Sequence, residues 1–357
     1  MNSRKLGALL IAAILAVTCV HWSGREAHAA GGLPLRPASS LQSLDGAVSW
    51  LHSPPLTPQA LQGKVVLLDF WTYSCINCLR TLPYVRAWAD KYRSLGFVVV
   101  AVHTPEFGFE HRPANVERAA GQLGITFPVA VDSNRALWQA YGVQGWPSLY
   151  FVDATGRIRH RQVGEGGYEG AERLIQQLLR EAGRTGVPSD LVTPQGSGTQ
   201  AAAGAMPAGS DETYVGAART QGFRSAGGGL KPGQAHDYAP APTLALNEWT
   251  LAGNWKVGDE AAELQQPGGR IAYRFRARDL HLVLGPAADG PPVRFRVRID
   301  GQPPGADRGS DVNADGYGMI DSHRLYQLVR QSRSGRDRLF EIEFFDRGAS
   351  AYAFTFG

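Results

Sequence analysis

Two cysteines separated by two residues, Cys75 and Cys78, are the side chains of this sequence best suited to chemistry. The run at residues 65–70 before them is almost entirely apolar and β-prone, which predicts a buried strand. After Cys78, apolar residues recur at helical spacing as far as Tyr92. We therefore expect Cys75 where a strand gives way to a helix, close to backbone N–H groups that have no helical partner. Those groups and the helix dipole favour a thiolate.

The spacing of the pair predicts redox chemistry rather than a crosslink or a metal site. Cys78 follows one turn after Cys75 on the same helix face, so the two sulfurs can close a small disulfide ring. Such a short loop stabilises a fold little. Zinc would need two further ligands, and His103 and His111 are more typical of loop residues near a site entrance. We predict that Cys75 attacks a disulfide, that Cys78 resolves the product, and that no other cofactor is required.

Two further positions fit the same chemistry. Asp69 lies six residues before Cys75 on the predicted strand. Burial should raise the pKa of its carboxyl, which could then take the proton of Cys78. Pro147 follows a helical segment and precedes a β-rich run. A cis bond there would set the backbone of Trp146 against the sulfur of Cys75.

The stretches LLDFWTYSCINC and GWPSLYFVDATGRI resemble the thioredoxin superfamily, in particular its TlpA/ResA-like branch with a redoxin (AhpC/TSA-type) domain. WTYSCINC, HTPEFGFEH and RLYQLVR are more specifically similar to the soluble part of DipZ-type cytochrome c biogenesis proteins. The resemblance covers roughly residues 40–357. DipZ-type chains also carry a CcdA-like membrane domain of several helices, which has no counterpart in these 357 residues.

This resemblance implies a reductant of protein disulfides, with a CcdA-like membrane protein as electron donor and apocytochrome c or other envelope proteins as acceptors. It also implies supporting residues around the pair. Trp71 precedes the motif, and Glu106 and Glu110 lie in the loop after His103, where TlpA-like proteins often place an acid. The alternative for the two glutamates is that both are solvated loop acids.

Two other functions are compatible with parts of the sequence. A thiol peroxidase of the redoxin family would carry the pattern P-x-x-x-[ST]-x-x-C; Thr72 fits it, but Leu68 stands where proline belongs. A glycan- or protein-binding envelope protein could keep a thioredoxin domain as a mere scaffold. Intact cysteines together with Asp69 and Pro147 argue against an inactive site.

The composition is that of a globular protein of two domains, with 43% hydrophobic and 19% charged residues over 357 positions. A net charge of +4, with acids and bases interspersed, gives no reason to expect a nucleic-acid partner. Residues 1–29 combine a basic start, an apolar run that includes Cys19 and a small-residue cleavage site. They predict export to the periplasm or cell envelope, or a membrane anchor at this end.

Strands alternate with helices over residues 35–184, which predicts an α/β sheet covered on both faces and, from the resemblance, a thioredoxin fold. A hairpin is expected in residues 35–63. Residues 185–210 are rich in Gly, Ala, Pro and Ser and predict a flexible linker. Short β-prone runs over residues 211–357 predict a jelly-roll-like β-sandwich, which the resemblance likens to a carbohydrate-binding module. Because the linker shows no apolar pattern, we expect no shared core and independent folding of this second domain.

Two features of the second domain could bind a ligand. Asp311, Asn313 and Asp315 match the first half of a calcium loop, and the alternative is a tight turn between strands. Three aromatic side chains could either stack on a glycan or fill the core of the sandwich: Trp249, Trp255 and Tyr326.

Overall fold

The structure is a computed structural model that describes residues 38–204, 208–287, 290–332 and 335–357. The predicted export signal, residues 1–29 with Cys19, lies outside the described residues. Among the helices of the described ranges, none has the length and apolar character needed to cross a membrane. The chain forms an α/β domain followed by an all-β domain, as predicted.

The first domain is built on a six-stranded sheet with strand order β1-β4-β3-β2-β5-β6. The strands are β1 (Ser49–Leu51), β2 (Val65–Trp71), β3 (Phe97–His103), β4 (Val129–Val131), β5 (Ser148–Val152) and β6 (Ile158–Val163). The helices are α1 (Ile76–Tyr92), α2 (Pro113–Gln122), α3 (Ala136–Tyr141) and α4 (Tyr168–Glu181). Every residue of β2 is buried, because β2 lies between parallel β3 and antiparallel β5 with apolar layers on both faces. This central strand carries the chain directly to the two cysteines.

The N-terminal segment pairs differently from the prediction. Within the described part of residues 35–63, β1 does not form the expected hairpin but pairs antiparallel with β4, with Trp50 opposite Ala130. The other edge of β4 pairs with β3, so β1 supplies the remaining partners for its backbone groups. Helix α1 begins at Ile76, earlier than the apolar spacing alone indicated, and continues through Pro83.

The second domain consists of antiparallel strands that join into one eleven-stranded sheet. The strands are β7 (Thr213–Tyr214), β8 (Ala235–Tyr238), β9 (Trp249–Val257), β10 (Ala262–Leu264), β11 (Arg270–Phe275), β12 (Asp279–Pro286), β13 (Val293–Ile299), β14 (Tyr317–Ile320), β15 (Arg324–Arg330), β16 (Arg338–Phe344) and β17 (Ala349–Phe356). The first half of β9 pairs with β11 and its second half with β10. Gly253, with a φ of 91°, lies where the strand changes partners, a conformation that side chains disfavour.

The two domains share an apolar core, contrary to the expectation of separate cores. Val283, Leu325 and Tyr352 of the second domain belong to the same cluster of buried side chains as the apolar face of α1. Phe109 of the first domain packs edge-on against Tyr352, with ring centroids 4.8 Å apart. The apolar surface that packs against the first domain comes from strands β12, β15 and β17. The lack of an apolar pattern in the linker therefore did not exclude a shared core.

A buried ion pair also joins the domains. Arg80 of α1 is 3% exposed and its guanidinium lies 3.3 Å from the carboxylate of Asp279, which is completely buried on β12. Arg278 and Arg330 donate to the same carboxylate, at 2.7 and 3.2 Å. A buried carboxylate with three guanidinium partners requires all of them to be in place, which fixes α1 relative to the second domain.

The linker forms hydrogen bonds with both domains at several points of its described part. The backbone N–H of Val192 donates to Glu172 on α4 at 2.9 Å. Gln200, at the end of a 3₁₀ helix (Gly198–Gln200), accepts a hydrogen bond from Arg86 of α1 at 2.6 Å. Gln327 of β15 donates to the carbonyl of Gly198 at 3.2 Å. These contacts depend on partners far away in the sequence, which composition cannot indicate.

Candidate active site

Cys75 is the N-cap residue of α1. Its backbone is extended (φ −86°, ψ 118°), and its sulfur accepts a hydrogen bond from the backbone N–H of Cys78 at 3.4 Å. Its carbonyl accepts the N–H of Leu79 at 3.0 Å, which closes the first helical turn. Cys75 is half-buried, whereas Cys78 is only 3% exposed, and both are free thiols. The arrangement presents one sulfur at the surface, stabilised by a backbone donor, and keeps the second below it.

The thiol of Cys78 is held in its protonated form. Burial raises its pKa well above the ordinary value, and the hydrogen bond and charge of Cys75 raise it further. A backbone hydrogen bond with Thr72 acts in the opposite direction, and the nearby charge of Asp69 adds to the increase. Cys78 can therefore act as a nucleophile only when a neighbouring base removes its proton.

Asp69 has the properties that such a base requires. It is 5% exposed on β2, and burial raises the pKa of its carboxyl to about 7, as predicted. One of its oxygens, Oδ1, has no hydrogen-bond partner among the described residues. A carboxyl with this pKa exchanges protons readily near neutral pH, and its charge contributes to the raised pKa of Cys78.

Glu110 is a second buried carboxyl beside the redox segment. It is completely buried and accepts four hydrogen bonds, from the hydroxyls of Thr72 (2.5 Å) and Ser74 (2.6 Å) and from the backbone N–H groups of Glu106 (2.6 Å) and Phe107 (3.0 Å). Burial raises its pKa to about 7, and these donors only partly oppose the effect. For Glu110 the solvated-loop alternative is therefore wrong. Thr72 and Ser74 were not identified as its partners from the sequence, because 38 and 36 residues separate them from it.

Glu106 points toward the second domain. Its carboxylate accepts hydrogen bonds from the hydroxyl of Tyr214 at 2.7 Å and from Arg219 at 3.0 Å. Arg219 also lies over the ring of Tyr214, with its guanidinium carbon 3.6 Å from the ring centroid. The two glutamates of this loop therefore have different surroundings: Glu110 contacts the segment before Cys75, and Glu106 ties the loop to the second domain.

The bond between Trp146 and Pro147 is cis, as predicted. The carbonyl of Pro147 accepts the N–H of Gly164, at 2.8 Å, and the indole N–H of Trp146 donates to the carbonyl of Thr104, at 3.1 Å. The ring of Trp146 packs on that of Trp138, with centroids 4.3 Å apart. This loop is thereby joined to the loop that follows β3.

Trp71 and His103 form part of the apolar support behind the motif. Trp71 is 3% exposed and meets His103 edge to face at 5.3 Å. Burial lowers the pKa of His103 to about 3, so its ring is neutral, and its Nε2 lies 3.3 Å from the hydroxyl of Thr72. Tyr73 stacks on the same ring at 5.4 Å. Within the described ranges, no three His, Cys, Asp or Glu side chains are grouped so that they could hold a metal ion.

The candidate calcium residues lie in a loop before β14. Asn313 accepts the backbone N–H groups of Asp315 and Tyr317 at 3.0 and 2.9 Å, which is an Asx turn. Asp311 pairs with Arg324 at 2.8 Å and accepts the N–H of Gln327 at 2.7 Å. These contacts favour the turn alternative, and calcium at this loop stays a prediction.

The three aromatic side chains considered for glycan stacking are core residues. Each of them is completely buried: Trp249, Trp255 and Tyr326. The indole N–H groups of Trp249 and Trp255 donate to backbone carbonyls at 2.9 Å. A glycan cannot stack on rings without exposed faces, so these residues do not form a platform.

The fold and the cysteine pair define a thioredoxin-like redox protein, and comparison with known proteins identifies its family. Residues 51–175 match the family model described as Redoxin, and residues 210–357 match the model described as Thioredoxin like C-terminal domain. The thiol-disulfide oxidoreductase YkuV of Bacillus subtilis is 33% identical over 141 residues, which are 40% of this chain and 95% of YkuV. The chain belongs to the thioredoxin-like thiol–disulfide oxidoreductases.

Similarity extends into the second domain in DipZ proteins. Protein DipZ of Mycobacterium bovis and of Mycobacterium tuberculosis is 38% identical over 263 residues. The aligned part is 71% of this chain and 36% of DipZ, so the chain spans about a third of that relative's length. A solution structure of a thioredoxin-like protein in its oxidized form matches 42% of this chain and 99% of its own, at 33% identity and a TM-score of 0.36.

Proposed function

We propose that this protein reduces disulfide bonds of client proteins in the cell envelope, with Cys75 as nucleophile, Cys78 as resolving thiol and Asp69 as its base. The observation that carries the proposal is the layered arrangement of the three groups. Cys75 is half-exposed at a helix N-terminus, Cys78 is buried in the first turn of that helix, and Asp69 is buried on β2, the strand that leads to the pair, with a pKa of about 7.

The reaction proceeds in two exchanges. The thiolate of Cys75 attacks one sulfur of the client disulfide, and the other client sulfur leaves as a thiol after taking up a proton. Asp69 then accepts the proton of Cys78, whose sulfur attacks that of Cys75. The second client sulfur leaves as a thiolate and takes up a proton from solvent. The client gains two electrons and two protons, and the Cys75–Cys78 disulfide remains on the protein.

Trp146 and Pro147 are proposed to position the client chain against Cys75, and Glu110 to hold the segment that precedes it. The hydrogen bonds of Glu110 support this role, because its carboxylate accepts the hydroxyls of both Thr72 and Ser74. Trp71 supports the site through packing alone.

The relatives and the sequence support the proposed location and partners. The resemblance of the sequence to DipZ-type cytochrome c biogenesis proteins, together with the predicted export signal, supports an envelope location and a role in cytochrome c maturation or a related pathway. A CcdA-like membrane protein would return electrons to the Cys75–Cys78 disulfide. The second domain would bring Cys75 near its clients by binding a protein or a glycan, which raises the effective concentration.

Selective alkylation tests the roles of the two thiols. At pH 6 the reduced protein should be labelled at Cys75 well before Cys78, because Cys75 is half-exposed and stabilised by a backbone donor while Cys78 is buried. Peptide mapping by mass spectrometry gives the order. Labelling at equal rates, or at Cys78 first, would contradict the assignment of the nucleophile.

The direction of electron flow is tested by the reduction potential. For a reductant the Cys75–Cys78 couple should lie near that of thioredoxin, about −270 mV, rather than near that of DsbA, about −120 mV. Equilibration against glutathione or dithiothreitol buffers measures it. A strongly oxidising value would make the protein a disulfide donor instead.

A further inference from the structure

A cleft of about 760 Å³ lies between the two domains, beside the loop that follows β3. Phe109 and Arg112 line it from the first domain, and the second domain contributes Glu263, His323, Arg347 and Tyr352. Its size is that of a site for a small molecule or a short stretch of polypeptide. Because both domains contribute walls, the cleft exists only in the assembled chain.

The base of the cleft is aromatic. The ring of Phe109 lies 4.8 Å from that of His323 and 4.8 Å from that of Tyr352. Gly285 makes room for this arrangement, since a Cβ atom at that position would lie 2.0 Å from Cδ2 of His323. Burial, and then the charges of Arg112 and Arg118, lower the pKa of His323 to about 4. At neutral pH the ring is uncharged and presents an apolar, stackable face.

The described lining of the cleft contains two arginines, Arg112 and Arg347, and one acid, Glu263, so positive charges exceed negative ones by one. Arg112 and Arg347 are both exposed, and neither forms an ion pair with any residue that the structure describes. Arg80, by contrast, is buried and paired with Glu165 and Asp279. Exposed guanidinium groups next to an aromatic floor suit carboxylates attached to an apolar body, because the guanidinium fork matches a carboxylate.

The cleft is linked to the redox segment through one short helix. Phe109 and Glu110 are neighbours in the 3₁₀ helix Gly108–His111. Phe109 lines the cleft, whereas Glu110 accepts hydrogen bonds from Thr72 and Ser74, the latter adjacent to Cys75. The ring of Tyr73 lies 6.0 Å from that of Phe109. An occupant of the cleft therefore lies next to the segment that presents Cys75.

We propose that this cleft binds an acidic segment of the client polypeptide while a cysteine of the same client reacts with Cys75. The inference rests on the proposed function and names its substrate class. Acidic side chains pair with Arg112 and Arg347, and an apolar side chain of the segment packs on the floor formed by Phe109, His323 and Tyr352. An uncharged glycan would leave the two guanidinium groups without a role.

The test uses the full chain with Cys75→Ser and Cys78→Ser, so that binding is measured without disulfide exchange. Fluorescence anisotropy compares a short labelled peptide of alternating Asp and Leu with the same peptide carrying Lys in place of Asp. The acidic peptide should bind at least about tenfold more tightly, and Arg112→Gln or Arg347→Gln should each weaken it about tenfold. Arg270→Gln is the matched control, since Arg270 is an exposed arginine of the same domain outside the cleft, and it should leave binding unchanged.

Several outcomes would overturn the proposal. They are equal binding of the two peptides, an equal loss in the Arg270→Gln control, and binding of an acidic oligosaccharide in place of the peptide. If circular dichroism shows that Arg112→Gln does not fold, the proposal is decided by Arg347→Gln and by the salt dependence of peptide binding to the protein with both arginines intact. Reduction of a neutral small disulfide by the wild-type protein is measured in parallel. If the wild-type protein does not reduce this disulfide, the proposed redox function is refuted and the binding proposal is unaffected. If it reduces the disulfide but the cleft shows no preference between the peptides, only the binding proposal is refuted.

Discussion

Two buried glutamates lie near opposite ends of α1, and each accepts four hydrogen bonds. Glu110, beside the N-terminal end, accepts two hydroxyls and two backbone N–H groups. Glu172, beside the C-terminal end, accepts the indole of Trp88, the hydroxyl of Tyr92, the N–H of Val192 and the ammonium of Lys91. Burial raises the pKa of Glu110 to about 7, whereas the donors around Glu172 outweigh burial and lower its pKa.

The difference lies in the charge of one donor. The donors of Glu110 are neutral, and they do not compensate for the complete loss of water around a carboxylate. Lys91, with a side chain 16% exposed, gives Glu172 a counter-charge 3.0 Å away and keeps a connection to solvent. The number of hydrogen bonds that a buried acid accepts therefore does not predict whether it is protonated. Glu172 is a fixed anion that fastens α1 to α4 and the linker, and Glu110 is poised to titrate near neutral pH beside the cysteines.

The largest effect is expected at the fixed anion. Glu172→Gln should lower the free energy of unfolding by about 2–4 kcal/mol, because Lys91 loses its buried partner and Tyr92 keeps only a weaker, neutral acceptor. Urea denaturation at pH 7 measures the change. A loss below about 0.5 kcal/mol would show that Glu172 is not a structural anion and would remove the contrast with Glu110.

Asp69 is a third buried acid, and it has fewer hydrogen-bond donors than either glutamate, since its Oδ1 has no partner among the described residues. Asp69→Asn should slow release of a trapped mixed disulfide about 10- to 100-fold, because Cys78 then lacks its base. Stopped-flow measurement of each exchange separates the two steps, and the attack by Cys75 should keep most of its rate. Unchanged release would exclude Asp69 as the base.

The titration of Glu110 should be visible in stability. Its pKa is near 4.5 when unfolded and about 7 when folded, so the folded state holds more protons between these values. Its contribution to the unfolding free energy therefore falls as pH rises from about 4.5 to 7. Glu110→Gln, which resembles the protonated form, should gain about 1–2 kcal/mol over the wild type between pH 5 and pH 8. Parallel pH profiles of the two proteins would contradict the raised pKa.

The smallest effect is expected at an exposed pair near the same helix end. Arg93 and Asp90 lie 3.1 Å apart, but their side chains are 68% and 72% exposed. Arg93→Ala should change the unfolding free energy by less than about 0.5 kcal/mol, because water and salt screen the pair. Comparing this loss of unfolding free energy with that of Glu172→Gln shows how much burial strengthens a carboxylate–cation contact. A loss comparable to that of Glu172→Gln would contradict this ranking.

Patterns local in the chain were predictable. The apolar run before the motif predicts β2, every residue of which is buried. The apolar neighbours of Asp69 in the sequence predict a buried acid. The position of Pro147, between a helical segment and a β-rich run, suggests the cis bond that the structure has. The pairing of β1 with β4 could not be predicted in the same way, since an edge strand can pair with several strands of similar composition.

The sequence by itself determined the redox pair and the buried strand that carries it, because each rests on residues within a few turns of one another. It also indicated the family, because each matching stretch is a short run that is recognisable without knowing what it packs against. Only the tertiary structure decided what surrounds the pair. Glu110 meets Thr72 across 38 residues, Arg80 meets Asp279 across 199, and the shared core and the cleft need both domains at once. Such contacts depend on how completed elements pack, and packing is set by the shapes of surfaces that no single stretch of sequence contains.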